Sequence, residues 1–289
     1  MFPSTQRSPN RVTVPMQEII TGKFTPFRLV IWPPGSVRIV DWNIDRGLQL
    51  QGIIDFLLAA DADILILQEV DLNARRTRRL NIAEEIARKL QMDYVFGREF
   101  QELVQGSKSS PAYHGQAILA KWPICNPRLI RFSRQSRFWE PHWFVPRVDP
   151  FQERLGGRIA LVAEINVAGT KLLTYNLHLE SRGSDELRLS QIQEVLSDAA
   201  RQDSPLIVAG DFNLDASKGS PASAIKTAGF QDAIGAPRPT TPSRAFEPGH
   251  RIDWAFIRGP VQAGSGRVHS QVKASDHYPI SFTLTAAGR

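Results

Sequence analysis

The chain has 289 residues, 42% of them hydrophobic, enough to bury a large core in one large or two small domains. Lys and Arg outnumber Asp and Glu by 35 to 29, and the net charge of +6 favours anionic partners. A single cysteine, Cys125, excludes an internal disulfide and suits a reducing compartment. The N-terminus lacks the apolar core of a secretion signal, and no segment reaches the ~20 apolar residues of a membrane-spanning helix, so a cytoplasmic location is expected.

Residues 1–36, rich in Pro, Ser and Thr, are expected to form an N-terminal extension to one domain, 37–289. "VRIVDWN" predicts a strand, "QLQGIIDFLLAA" a helix, "DILILQEV" a buried strand and "NIAEEIARKLQ" an amphipathic helix. Strands follow at "QAILAKW", "RIALVAEINV" and "KLLTYNLHL", the last two joined through Ala-Gly as a hairpin. A helix near "DELRLSQIQEVLSDAA" then leads to strands at "SPLIVAGDF", "IDWAFIRG" and "YPISFTLT". Parallel and antiparallel pairing are therefore mixed, which suggests one domain with two sheets and outer helices.

Polar residues capable of chemistry collect where these strands end: Asn43, Glu69, His178 and Asp211, with Asp253 in "HRIDWAF" and Asp276 and His277 in "SDHYPI". Asp211 and Asn213 lie two residues apart, so on an extended chain both face one pocket. "GDFN" also reads as a plain turn, since Gly, Asp and Asn are turn formers.

The ordered set "DWNID", "LQEVD", "NLHLE", "GDFNLD", "RIDWAF" and "SDHYP" resembles the endonuclease/exonuclease/phosphatase superfamily, over residues 37–285. The resemblance implies an α+β fold of deoxyribonuclease I type, a four-layer αββα sandwich of two mixed sheets flanked by helices. It implies that Glu69, Asp211, Asp253 and Asp276 converge, and two like charges ~4 Å apart repel by about 4 kcal/mol at an effective dielectric of 20. Such a cluster needs a cation. Oxygen donors without a thiolate favour Mg²⁺ or Mn²⁺, with Glu69 as first ligand and Asn43 and Asp276 assisting.

By the same resemblance, Asp211 orients or deprotonates the attacking water, and Asn213 contacts phosphate or holds Asp211. His277 lies against the phosphate with Asp253 behind it, and His178 contacts phosphate or helps the leaving group. "YNLHLES" departs from the tyrosine-bearing segment of abasic-site endonucleases, which argues against that branch. Arg76, in "ARRTRR", and Gln116, in "HGQAILAKWPI", are candidate substrate contacts. The aromatic segment 137–147 leaves three roles open: stacking on bases, resting on a lipid interface, or packing as a lid. A divalent-metal-dependent phosphoester hydrolase is expected, with nucleic acid as the favoured partner and a phospholipid or inositol-phosphate headgroup as the alternative. A catalytically silent binding protein is the non-enzyme alternative, and a monomer is assumed.

Overall fold

The computed structural model of the chain describes residues 18–26, 35–143, 148, 151–235, 237–243 and 248–286. Part of the expected extension, and residues 144–147, 149 and 150 in and beside the aromatic segment, lie outside the described residues. One sheet contains β1 (Ile19–Gly22), β2 (Val37–Arg46), β3 (Ile64–Leu72), β4 (Asp93–Glu102), β5 (Ala112–Ala120), β7 (Arg154–Gly156), β13 (Val261–Val268) and β14 (Ile280–Ala286). Its order is β1-β4-β5-β3-β2-β14-β13, with β7 also paired to β4. The second contains β6 (Ile124–Arg131), β8 (Ile159–Val167), β9 (Thr170–His178), β10 (Leu206–Asp211), β11 (Gln231–Asp232) and β12 (Asp253–Arg258), in the order β11-β12-β10-β9-β8-β6. The helices are α1 (Leu50–Ala60), α2 (Ile82–Leu90), α3 (Asp185–Ala199) and α4 (Gly219–Thr227).

Residues 19–22, assigned by composition to the extension, pair with β4, so the sheet begins inside that segment. The β8–β9 hairpin turns at Ala168 and Gly169, both at positive φ, as an Ala-Gly connection requires. The amphipathic α2 starts at Asn81, whose side chain accepts from the Glu84 N–H, and carries acids in its first turn and bases in its last. Its Ile82, Ala83, Ile86 and Ala87 are buried.

The layers explain the long apolar runs. On β2, Ile39 enters the core between the sheets while Val40, Trp42 and Ile44 pack under α1 and α2. On β10, Ile207 and Ala209 face the inner core and Val208 faces the layer beneath α3 and α4. A strand buried on both faces has no need of alternation. Towards one end of the sandwich the inner-facing series turns polar: Ile39 gives way to Asp41 and Asn43, Ile66 to Gln68, Leu172 to Asn176 and His178, and Ala209 to Asp211, all buried. No helix among the described residues is long and apolar enough to cross a membrane.

Candidate active site

Strand register assembles one side of the site. Asp211 of β10 pairs with His178 of β9 and with Asp253 of β12, so three functional side chains form one row across the second sheet. Gly210 makes this possible: its φ of 140° and the adjacent Leu177 carbonyl leave no room for a Cβ. Asn213 lies beyond the strand, at φ 51°, and its backbone N–H donates to Asp211 Oδ1 at 2.9 Å. "GDFN" is thus strand and turn together. The turn fixes Asp211, and the Asn213 amide donates to the Leu179 carbonyl instead of pointing alongside Asp211 as an extended chain would place it.

The first sheet supplies the other side, through irregular backbone. Pairing of β3 shifts between Leu67 and Val70 against β5, and Glu69 occupies this bulge at φ 52°. Pairing of β2 with β3 shifts between Asn43 and Arg46, where Asp45 and Arg46 have positive φ. Asn43 donates to Asp211 Oδ2 at 3.1 Å, joining the sheets. The "SDH" turn is pinned to β2: Ser275 Oγ donates to the Asn43 carbonyl at 2.7 Å, and the Trp42 indole donates to the His277 carbonyl at 2.9 Å.

His277 Nδ1 meets both oxygens of Asp253, at 3.0 and 2.9 Å, and its Nε2 lies 3.8 Å from Asp211 Oδ2. Burial would lower the His277 pKa, but the Asp253 and Asp211 carboxylates outweigh it and raise it well above the ordinary value. Burial, reinforced by Asp253 and opposed by His277, pushes Asp211 up to about 7.

His178 is held differently. Its Nδ1 is 2.7 Å from Arg158 Nη1. A guanidinium only donates, so Nδ1 accepts and Nε2 carries the hydrogen of a neutral ring. Burial, then Arg158, lower its pKa well below the ordinary value. The Nε2–H faces Asp211 Oδ2 at 3.5 Å and Glu69 Oε1 at 4.0 Å. Arg158 also donates to Glu99 at 2.9 Å, and Glu99 accepts from Gln116 at 2.6 Å. Gln116, a candidate substrate contact, is fully buried and stands behind His178 through Glu99.

Arg76, the other candidate substrate contact, is engaged by buried carboxylates. Its Nε and Nη2 donate to the two oxygens of Asp71, both at 2.7 Å, and Nη2 also donates to Glu102 at 3.0 Å. Asp71, Glu102 and the buried His114 place donor atoms within 4.8 Å of one another, but Arg76 and Arg154 already balance their charge. Asp211, Asp253 and His277 form a second such group of donor atoms, and Glu69, 3.5 Å from Arg46, stands outside both. Burial would raise this carboxyl, but Arg46 first, then His114 and His178, hold it well below its usual range, so it is ionised. Neighbouring Asp45 is raised by burial and by Asp276 and Glu69, although Arg46 contacts it. Asp276 is exposed at the same edge. Negative charge in excess, oxygen donors and the Asn43 amide suit a hard divalent ion.

Arg158 and Glu99, which stand behind His178, are the site-lining residues missed by sequence reasoning. A signal existed for the first: Arg158 opens the otherwise apolar run "RIALVA". Glu99 had none, since β4 was not predicted.

The sequence pattern described as "Endonuclease/Exonuclease/phosphatase family" matches residues 42–277. No curated protein matches the chain in sequence. Solved structures of similar fold include an endonuclease/exonuclease/phosphatase from Beutenbergia cavernae, 18% identical at a TM-score of 0.65, over 88% of this chain and 72% of that one. TDP2 from Caenorhabditis elegans is 19% identical at 0.60, over 87% and 74%. The human Nocturnin catalytic domain with bound sulfate anion is 16% identical at 0.64, over 93% and 97%. At such identities these structures speak for the fold alone, the two mixed sheets with outer helices. The family pattern runs from Trp42, which pins the "SDH" turn, to His277, which that turn delivers, and the chain belongs to the endonuclease/exonuclease/phosphatase family.

Proposed function

We propose that the protein is a divalent-metal-dependent phosphodiesterase that cleaves nucleic-acid backbones by in-line attack of water. The observation that carries this reading is the pairing of two unlike histidines across Asp211. His277 is charged and backed by Asp253; His178 is neutral and presents Nε2–H. A phosphodiester between them meets a cation on one side and a neutral donor on the other, while Asp211, with a pKa near neutrality, takes the proton of the attacking water. Asn43 and the Asn213 backbone hold Asp211. Glu69, with Asn43 and Asp276, would hold Mg²⁺ or Mn²⁺. Such an ion offsets charge building on the phosphate oxygens.

The basic balance of the chain, and a family whose name includes two nuclease activities, support a nucleic-acid substrate. The sulfate bound by Nocturnin supports only that a tetrahedral anion suits this fold.

The test is hydrolysis of duplex DNA, single-stranded DNA, RNA, bis-p-nitrophenyl phosphate, sphingomyelin and phosphoinositides, each with Mg²⁺, Mn²⁺ or EDTA. Cleavage of a polynucleotide and of the small diester, abolished by EDTA and by Glu69→Ala, is expected. Full Mg²⁺-dependent turnover by Glu69→Ala would exclude Glu69 as the main ligand. Turnover confined to a lipid substrate would replace nucleic acid with a phospholipid headgroup.

A further inference from the structure

The rim of the site beside His178 carries apolar surface that the chemistry above leaves unused. Among the described residues, the large apolar side chains most open to solvent are Phe138, Trp143, Val148, Phe151 and Leu155 within one stretch, with Leu48 and Leu58 elsewhere. Phe138 is tied to the site through Ser136, whose hydroxyl accepts from the Phe138 N–H at 3.2 Å. Ser136 donates to Glu180 through its backbone, at 3.2 Å, and through its hydroxyl, at 2.7 Å. Gln135 donates to the Arg158 carbonyl and accepts from the Arg158 N–H. The segment is thus tied both to the residue that holds His178 and to the residue two places beyond it. Phe132 anchors the same segment in the core at 4% exposure, yet Phe138 stays 53% exposed. A packing lid would bury it.

Its surroundings are cationic. Arg182 lies over the Phe138 ring, 5.1 Å from its centroid, and the neighbouring Arg137 side chain is 78% exposed with Glu140 3.9 Å away. Trp139 meets the Phe138 ring edge-on at 4.9 Å, with Arg154 over its own ring. A half-exposed aromatic ring with a guanidinium over one face fits a ligand that is both flat and anionic. A bilayer fits less well, because sinking Phe138 into it would draw Arg182 and Arg137 out of water.

Resting on the phosphodiesterase reading above, we infer that Phe138 and Arg182 form a stacking platform for an unpaired nucleotide beside the scissile phosphate, so the preferred substrate is single-stranded at that point. In a duplex both faces of each base are covered by neighbours, so only an unpaired base can lie on such a platform.

The test compares Phe138→Ala and Phe138→Trp. Turnover of bis-p-nitrophenyl phosphate is measured in the otherwise unaltered protein. Affinity is measured in an Asp211→Asn background, by fluorescence anisotropy of labelled oligothymidylate and of a blunt duplex of equal length. Phe138→Ala should bind the single strand roughly ten-fold more weakly, bind the duplex almost unchanged and hydrolyse the small diester at the wild-type rate. Phe138→Trp should restore single-strand affinity. Equal single-strand affinity for Phe138→Ala and its parent, with the small diester still hydrolysed, overturns the platform and leaves the phosphodiesterase standing. Absence of both diester hydrolysis and oligonucleotide binding in the unaltered protein overturns both. Sedimentation with phosphatidylserine vesicles that Phe138→Ala abolishes, with oligonucleotide affinity unchanged, assigns the surface to a membrane and overturns the inference.

Discussion

His277 owes its proton to Asp253 and Asp211, whose carboxylates raise its pKa against the effect of burial. Asp253→Asn keeps the shape of the contact and removes the charge, so the His277 pKa should fall. If the imidazolium is the working form, turnover declines as pH rises through that pKa, and in Asp253→Asn this limb should move to lower pH. The loss should appear in kcat more than in KM, on the order of 10²-fold, because the charge matters most as the phosphate reaches its transition state. Profiles of turnover against pH for wild type, Asp253→Asn, His277→Ala and the double mutant test the coupling. Losses that merely add would mean that the two residues act separately. Stability follows the same sign. A raised folded-state pKa gives a contribution complete below the unfolded value of about 6.5 and lost as pH rises through the folded value. The stability gap between Asp253→Asn and wild type should therefore narrow in alkaline solution.

Gly210 and Glu69 show how a strand delivers a functional group, and why one of them could be anticipated better than the other. In "AGDFN" the glycine looks like turn punctuation, but it lies within β10, where a Cβ would run into the Leu177 carbonyl of β9. Gly210→Ala should cost about 3 kcal/mol, by strain at positive φ and loss of the His178–Asp211 register. Urea denaturation within about 0.5 kcal/mol of wild type would show that β9 and β10 are not so closely set. At the β3 bulge the trade runs the other way. Glu69→Gly relieves a non-glycine residue at φ 52°, so its stability should stay within about 1 kcal/mol of wild type while Mg²⁺-dependent turnover is lost. A large fall in melting temperature would instead make Glu69 part of the fold's support. The motif residues were legible because each ends an apolar strand, and register then places His178, Asp211 and Asp253 in a row. β4 was not legible, because "DYVFGREFQE" carries Arg98, Glu99 and Glu102, and a strand that buries charge loses the apolar pattern by which strands are found. β13, "VQAGSGRV", has no apolar run at all, and β1 lies at a sheet edge within a polar segment.

Across the whole molecule, the sandwich keeps one charged layer out of water beside its site. Asp71 and Glu102 bind Arg76, Glu102 binds Arg154, and Glu99 binds Arg158, with all these acids buried. The basic run "ARRTRR" resembles a hand for substrate because one of Arg76's two partners is distant in sequence: Asp71 is five residues before it, but Glu102 is 26 residues beyond it, on β4. The pairing of β3 with β5, and of β5 with β4, brings Glu102 to the Asp71–Arg76 pair. Arg76→Gln should therefore act on stability, by about 3–5 kcal/mol, since it leaves Asp71 and Glu102 short of a buried countercharge. Catalysis should be spared: molecules that remain folded should retain the wild-type KM for an oligonucleotide. The pH dependence gives a second sign. Burial would raise the Asp71 carboxyl, but the Arg76 hydrogen bonds and then His114 hold it below its usual value. A depressed pKa contributes stability that is complete above the unfolded value, about 3.9, and is lost as pH falls through the folded one. The difference between wild type and Arg76→Gln should accordingly be constant from neutrality down to about pH 4 and shrink below it, as urea titrations at successive pH values would show. A raised KM with unchanged stability would return Arg76 to the substrate, and with it the direct reading of the basic run.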